Sequence, residues 1–289
     1  MKKLSILNNF KRENYFKEPF PHIIIKDCLP PEIIGLLNDD FPDQDEFLKY
    51  DRHHNVFKEN FRYNISANTI FNESQFQKKI SKTTYNFFKY HTSSNFFYEL
   101  FEIFENDIKN LYPFFYEKIK KYNTESDIFS YRNPSSNIKK KITLDCQFAI
   151  NSINQVKSSV VSPHIDNPYE LFAGLLYMKD SRDKSKCSNL EILEWNNNEK
   201  VHFYGKNRVD YKNLKKTKEV QYEFNTLILF LNSPNSFHTV TPREPNNIPR
   251  KFFNIIIETN FFQSEPLFNI NKKISTRLIE KFFSNQNKF

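Results

Sequence analysis

Residues 161–166 read VSPHID, and the interpretation of the whole chain starts from this stretch. In an extended backbone, His164 and Asp166 stand two residues apart, so both side chains leave the same face of the chain. One imidazole and one carboxylate on one face can bind one metal ion. A surface histidine beside a turn aspartate gives the same letters, so the prediction depends on the rest of the sequence.

A second histidine, His238, lies 74 residues after His164 in the segment FHTVTP at 237–242. This segment follows an apolar stretch at 226–231 that predicts a strand. Two histidines and one carboxylate leave half of an octahedral ferrous site open, which is the arrangement of non-haem Fe(II) oxygenases. A zinc hydrolase site is the alternative interpretation.

A fourth residue, Arg250, favours iron over zinc. It lies twelve residues beyond His238 and begins an apolar stretch at 252–257 that predicts another strand. Its planar guanidinium can bind a dicarboxylate through two parallel hydrogen bonds. The alternation of side chains along a strand sends Lys251 to the opposite face, so Arg250 is the candidate.

With these residues in place, the sequence resembles the Fe(II)/2-oxoglutarate-dependent dioxygenases, and more closely their prolyl-hydroxylase-like branch. The resemblance covers residues 142–262 and the opening PFPH at 19–22. It is carried by HIDNP at 164–168, LFAGLLY at 171–177, HTVTP at 238–242 and Arg250. One departure concerns a turn, because Ser188-Asn189 stand where the family often has two glycines.

The resemblance implies that His164, Asp166 and His238 bind Fe(II). It further implies that Arg250 binds the distal carboxylate of 2-oxoglutarate, with O2 as the second cosubstrate. Tyr177 is a candidate hydrogen-bond donor to 2-oxoglutarate, with a plain core tyrosine as the alternative. The implied reaction is hydroxylation of an unactivated C–H bond, with succinate and carbon dioxide as co-products. The substrate stays open between a peptidyl or free amino acid such as proline and a small metabolite.

The expected fold is mainly β with flanking helices (α+β), built on a double-stranded β-helix, the cupin-like jelly roll. Short strands are predicted at 142–151, 171–178, 189–195, 200–204, 219–223, 226–231 and 251–260. Residues 142–262 would form the catalytic core, residues 1–141 a dependent strand and helical buttress, and residues 263–289 a helix and basic tail.

The N-terminal half is predicted to cover this core. Residues 19–26 predict a strand that adds to the larger sheet, followed by a helix that opens at Pro30-Pro31. Residues 41–70 show no clear periodicity and predict an irregular loop. One helix is expected from Asn72 to about residue 89, and a longer one over 95–121 that Pro113 breaks.

Composition excludes several classes of protein. Only 3 glycines occur, so neither the Rossmann nor the Walker phosphate loop can form. The 3 cysteines are widely spaced, which predicts neither a disulfide framework nor a cysteine zinc site and favours a reducing cytoplasm. No signal sequence or membrane span is expected. The net charge of +8 favours anionic ligands, but without a basic helix or known motif no nucleic-acid partner is expected.

The other polar candidates have simpler interpretations. His202 is expected to be a structural histidine, and His53-His54 to lie in a loop. Arg243 is expected in an exposed turn, paired with Glu244 or contacting substrate. A cluster of lysines predicts a solvated loop; its members are Lys212, Lys215, Lys216 and Lys218. The competing hypothesis for the whole chain is a non-catalytic β-helix protein that binds a glycan or an anionic ligand.

Overall fold

A computed structural model describes residues 4–51, 56–122, 128–134, 140–159, 161–196, 201, 203–204, 207–260 and 266–270. Its architecture is α+β, with a large mixed sheet, a small sheet and a layer of helices. Three predictions lie outside the described residues: the His53-His54 loop, the role of His202 and the C-terminal helix around residues 274–282. None of the described helices is long and apolar enough to cross a membrane.

Eleven strands lie within the described residues. They are β1 (Tyr15–Phe16), β2 (His22–Ile25), β3 (Arg62–Ser66), β4 (Phe129–Tyr131), β5 (Ile142–Asn151), β6 (Glu170–Tyr177), β7 (Leu190–Trp195), β8 (Leu214–Val220), β9 (Thr226–Leu231), β10 (His238–Val240) and β11 (Arg250–Thr259). The large sheet has the order β1-β2-β9-β6-β11-β5-β3, and β4 pairs in parallel with the far end of β5. The small sheet has the order β10-β7-β8.

Both faces of the large sheet are buried, so its central strands are almost continuously apolar. All six residues of β9 are buried, with Leu227, Leu229 and Leu231 facing the helices. The alternate residues Ile228 and Phe230 pack toward the small sheet, in a cluster that includes residues of β7 and β8. This cluster around Ile228 and Phe230 therefore fills the space between the two sheets. The candidate site lies beside it.

Helices cover the other face of the large sheet. They are α1 (Pro31–Asp39), α2 (Gln44–Tyr50), α3 (Ala67–Asn72), α4 (Ser74–Gln77), α5 (Lys82–His91), α6 (Ser94–Ile103), α7 (Glu105–Leu111) and α8 (Pro113–Ile119). Aromatic side chains make this contact: Phe88 of α5 lies 4.9 Å from the Phe148 ring of β5 and 5.9 Å from Phe253 of β11. The aromatic-rich composition thus supplies the core, since each such ring buries a large apolar area.

Most strand predictions in the second half are confirmed. The predicted strands at 142–151, 171–178, 189–195, 226–231 and 251–260 correspond to β5, β6, β7, β9 and β11. The strand near Ile24 is β2, which lies between β1 and β9 in the large sheet. The break at Pro113 is also confirmed, because α7 ends at Leu111 and α8 begins at Pro113. The single helix expected before this break is wrong, because α6 ends at Ile103 and α7 begins at Glu105.

The prediction for 212–223 is wrong. The strand β8 spans Leu214–Val220 rather than 219–223, so three of the four lysines expected in a loop lie on a strand. Lys216 bonds Glu191 at 3.3 Å and Glu219 at 2.8 Å, while the ammonium of Lys218 lies over the Phe16 ring. The lysines of this segment predict a loop because β8 is an edge strand of the small sheet. Exposed lysines are common on edge strands, where they oppose aggregation.

Two predictions for the first half are also wrong. Residues 41–70 contain α2 and β3 rather than only loop, and the helix expected from Asn72 is divided between α3, α4 and α5. The division has a local cause, because the Ser81 hydroxyl accepts the N–H of Thr84 and so starts α5. The seven-residue α2 is too short to establish a periodicity.

The helical layer should make the protein sensitive to acid through His91. This fully buried imidazole accepts the Ile6 N–H at Nε2, and its Nδ1 lies 2.8 Å from the Phe87 carbonyl, so it is held neutral. Burial lowers the pKa of His91 from 6.5 to about 3. The unfolded chain binds this proton first as the pH falls, so the stabilisation is complete above pH 6.5 and decreases below it, by up to about 1.4 kcal/mol per pH unit.

We expect His91→Gln to reduce this dependence, because the amide can make both hydrogen bonds without titrating. Urea unfolding between pH 7 and about pH 4 measures the difference in slope. Equal slopes in both proteins would show that His91 does not titrate in this way.

Candidate metal centre

A pair of backbone hydrogen bonds brings the two distant histidine segments together. His164, which precedes β6, donates its N–H to the His238 carbonyl at 3.1 Å, and His238 returns the bond at 3.0 Å. The two rings lie 4.4 Å apart. One potential ligand atom from each of His164, Asp166 and His238 lies within 4.8 Å of the others. These are the three residues that the sequence pattern singled out.

Both imidazoles are oriented by main-chain carbonyls. Nδ1 of His164 lies 2.9 Å from the Ser162 carbonyl, and Nδ1 of His238 lies 2.9 Å from the Ser236 carbonyl. A carbonyl only accepts, so each Nδ1 carries the proton and each Nε2 keeps its lone pair. Both Nε2 atoms lie 3.8 Å from Oδ1 of Asp166. Such outer contacts fix the tautomer of a metal-binding histidine.

The electrostatic environment keeps His164 neutral. Burial and, to a smaller extent, the neighbouring His238 lower its pKa from 6.5 to about 4, against the attraction of Asp166. A metal ligand must present an unprotonated nitrogen, so His164 is available for a cation throughout the neutral range. Two imidazoles and one carboxylate form a donor set that suits a ferrous ion.

Arg250 lies on the same cavity as the three ligands. The cavity has a volume of about 100 Å³, and its lining includes His164, Asp166, His238 and Arg250. The guanidinium is 2% exposed; Nε donates to the Ser188 carbonyl at 3.2 Å and Nη1 to Oδ1 of Asn151 at 3.3 Å. Its Nη2 is buried and has no hydrogen-bond partner among the described residues. A buried guanidinium with an unused hydrogen-bond donor destabilises the fold unless a ligand accepts that hydrogen bond.

Aromatic rings surround this guanidinium. The Cζ atom of Arg250 lies 5.0 Å from the Tyr177 ring centroid and 4.9 Å from those of Tyr222 and Phe252. Tyr177 is fully buried, and its hydroxyl also lacks a hydrogen-bond partner among the described residues. Tyr177 and Arg250 are therefore neighbours, as the alignment of β6 with β11 requires.

Ser188 explains how the turn before β7 forms without the glycine pair. Its φ of 69° lies in the left-handed region that favours glycine, so serine occupies a glycine-like conformation. The Ser188 carbonyl accepts from Arg250, and Asn189 accepts the Tyr222 N–H at 2.9 Å. The turn therefore retains a role in holding the arginine.

The prediction for Arg243 is wrong. Its side chain is 2% exposed rather than solvated, and Nη1 donates to the Ser152 carbonyl at 2.6 Å and to Oδ1 of Asn60 at 3.2 Å. Glu244 instead pairs with Lys157 at 2.7 Å. The cause is a backbone bridge between Arg243 and Ser158, which draws the turn against the rest of the fold.

A larger cavity of about 420 Å³ adjoins the metal centre and was not predicted. It shares Asp166, Ala173, Asn254 and Arg62 with the smaller cavity. Arg62 comes from β3, in the segment interpreted as loop. The signal was present, because polar residues alternate with buried Tyr63 and Ile65 along residues 62–66, which is a strand pattern with one polar face.

A scan of the sequence against protein-family models gives no match, and neither does a search of the curated proteins. Solved structures do match. A prolyl 4-hydroxylase structure from Phytophthora capsici is 13% identical with a TM-score of 0.41, over 92% of this chain and 68% of that chain. A prolyl-4-hydroxylase from Pseudomonas putida is 9% identical with a TM-score of 0.42, over 82% of this chain and 92% of that chain.

A third match is a prolyl hydroxylase from Trichoplax adhaerens, solved with a hypoxia inducible factor peptide fragment. It is 12% identical with a TM-score of 0.39, over 83% of this chain and 84% of that chain. The solved structures to which this chain is similar thus include prolyl hydroxylases, the class that its sequence resembles.

Proposed function

We propose that this chain is an Fe(II)- and 2-oxoglutarate-dependent oxygenase that hydroxylates an unactivated C–H bond. One observation carries the proposal: a single cavity is lined by two histidines and an aspartate whose ligand atoms lie within 4.8 Å of one another, and also by a buried arginine with an unused donor. In the balanced reaction, R–H, O2 and 2-oxoglutarate give R–OH, succinate and carbon dioxide, with one oxygen atom in the alcohol and the other in succinate. We further propose that residues 142–262 form a double-stranded β-helix core, with residues 1–141 as a dependent buttress.

His164, Asp166 and His238 would hold the iron. The Nε2 lone pairs are free because the Nδ1 protons are bonded to carbonyls. The Asp166 carboxylate supplies negative charge, and the three ligands leave other positions open to cosubstrates. When bound, the metal supplies the oxidative chemistry, while the protein binds, orients and excludes water.

Arg250 would bind the distal carboxylate of 2-oxoglutarate. A charge-assisted bond from Nη2 would satisfy the buried donor, and the surrounding rings exclude water that would weaken it. The buried hydroxyl of Tyr177 would donate to the same carboxylate. A zinc hydrolase needs no dicarboxylate cosubstrate, whereas the oxygenase needs a cation for the distal carboxylate of 2-oxoglutarate, so Arg250 favours the oxygenase.

The proposal is tested by anaerobic titration of the protein with Fe(II) and 2-oxoglutarate. We expect a visible metal-to-ligand charge-transfer band that requires both additions, and succinate release when O2 is admitted. A protein that binds neither reagent would instead favour a non-catalytic β-helix protein. Zn(II)-dependent hydrolysis without a 2-oxoglutarate requirement would favour the hydrolase.

A further inference from the structure

The larger cavity has the position of a substrate site. Asp166 lines both cavities, so a molecule in the larger one lies beside a proposed metal ligand. Arg250 lines the smaller cavity but not the larger one, and the Tyr177 ring lies 5.0 Å from the Arg250 guanidinium. The larger cavity is therefore free when 2-oxoglutarate is bound as proposed. Its volume of about 420 Å³ lies within the range of small-molecule sites.

Several charged side chains in or beside this cavity already form ion pairs and hydrogen bonds with one another. The guanidinium of Arg132 bonds Glu258 at 2.6 Å and lies 3.8 Å from Asp145. Asp145 also accepts from the Ala67 N–H at 3.2 Å and from Gln147 at 2.7 Å. These groups form a closed network, so they are poor candidates for binding a charged ligand.

Arg62 and Glu170 stand outside that network. Nε of Arg62 donates to Asn64 at 3.2 Å and the guanidinium lies over the Phe252 ring at 5.2 Å, but its two Nη atoms make no hydrogen bond or ion pair with a described residue. The Glu170 carboxylate likewise makes neither within the described part of the chain. Burial raises the pKa of Glu170 well above its usual range, against the attraction of Arg132 and, more weakly, of Arg62. Arg62 is attracted most strongly by Asp166. The cavity therefore presents one guanidinium and one carboxyl group, each with unused hydrogen-bonding capacity.

We propose that the substrate is a free α-amino acid, an inference that rests on the oxygenase function proposed above. The Nη atoms of Arg62 would bind the substrate carboxylate as a fork, and Glu170 would bind its ammonium group. A residue inside a peptide has neither charge, so the same pair of groups disfavours a peptidyl substrate. The side chain of the amino acid would then extend toward Asp166 and the metal.

Calorimetry with the Fe(II)- and 2-oxoglutarate-loaded protein under anaerobic conditions tests this inference. The probes are the common free α-amino acids and, for each that binds, its N-acetyl and carboxamide derivatives. We expect at least one free amino acid to bind, and each blocking group to weaken binding by about 50-fold, since each removes one charged partner.

Substitutions at Arg62 and Glu170 test which side chain binds the carboxylate and which binds the ammonium group of the amino acid. Arg62→Gln and Glu170→Gln should each weaken amino acid binding by about 50-fold. Glu170 lines only the larger cavity, so Glu170→Gln should also leave the Kd for 2-oxoglutarate within about twofold. Arg62→Lys keeps the charge and should lose only about tenfold, which distinguishes recognition from misfolding. Arg182→Gln and Glu13→Gln are matched controls, because both side chains are exposed (76% each).

The inference is overturned if no free amino acid binds, if the blocked derivatives bind equally well, or if Arg62→Gln weakens 2-oxoglutarate instead. Failure of the proposed function looks different, because the wild-type protein would then form no charge-transfer band. In that case, calorimetry with the amino acids and the metal-free protein still decides between binding and no binding.

Discussion

His164→Ala is expected to lose ferrous binding and to reduce succinate release to background. The substitution removes one of three ligand atoms that lie within 4.8 Å of one another, and alanine offers no donor in its place. Loss of an outer contact to a metal ligand alone costs about 10- to 100-fold in affinity, so loss of the ligand should cost at least about 100-fold. Anaerobic Fe(II) titration, followed by the charge-transfer band with 2-oxoglutarate, measures the effect.

The fold should survive this change, because His164 holds His238 through main-chain atoms that alanine keeps. His91→Gln is the matched control, since His91 is a buried histidine outside the cluster and should bind Fe(II) as the wild-type protein does. Undiminished ferrous affinity and turnover in His164→Ala would remove His164 from the metal site and with it the proposed function.

The cluster of His164, Asp166 and His238 could be predicted from sequence because local geometry determines much of its arrangement. His164 and Asp166 share a face by strand alternation alone, and a predicted strand leads to His238. The backbone bridge that joins the two segments is a long-range pairing, so only the resemblance to a known pattern indicated it. Arg250 followed from the same alternation, with Lys251 directed away toward Phe41 and Asp180.

The second cavity could not be predicted in the same way. The alternation at residues 62–66 indicates a strand with one polar face, but only the pairing of this strand with β5 shows that Arg62 on that face lines the cavity. Arg243 is the opposite case, a polar side chain that is buried where the sequence predicts exposure. An arginine flanked by prolines predicts an exposed turn, but main-chain bridges draw this turn into the fold and bury the side chain. In both cases the position of a polar side chain depends on contacts between residues about 90 or more apart, which local patterns do not encode.

Arg250→Gln is expected to weaken 2-oxoglutarate binding by about 100-fold or more while ferrous binding persists. Truncating one partner of a buried, hydrogen-bonded charge pair costs about 2–5 kcal/mol, and the guanidinium lies in such a setting, with its unused Nη2 enclosed by aromatic rings. Thermal unfolding offers a second measurement. At 2-oxoglutarate equal to 100 times the wild-type Kd, the ligand should stabilise the wild-type protein by about 2.7 kcal/mol and a variant with 100-fold weaker binding by only about 0.4 kcal/mol.

A ligand that lacks the distal carboxylate separates recognition from general damage. The wild-type protein should prefer 2-oxoglutarate over 2-oxopentanoate by about 100-fold, and Arg250→Gln should lose most of that preference, because glutamine offers a neutral donor where the carboxylate needs a cation. Arg250→Lys should fall between the two, since lysine keeps the charge but not the planar fork. Arg182→Gln, which removes an exposed arginine paired with Asp180, should leave the preference unchanged. If Arg250→Gln kept the wild-type preference, the distal carboxylate would have to bind elsewhere, and the aromatic enclosure around Arg250 would be a structural feature of the space between the sheets rather than a cosubstrate site.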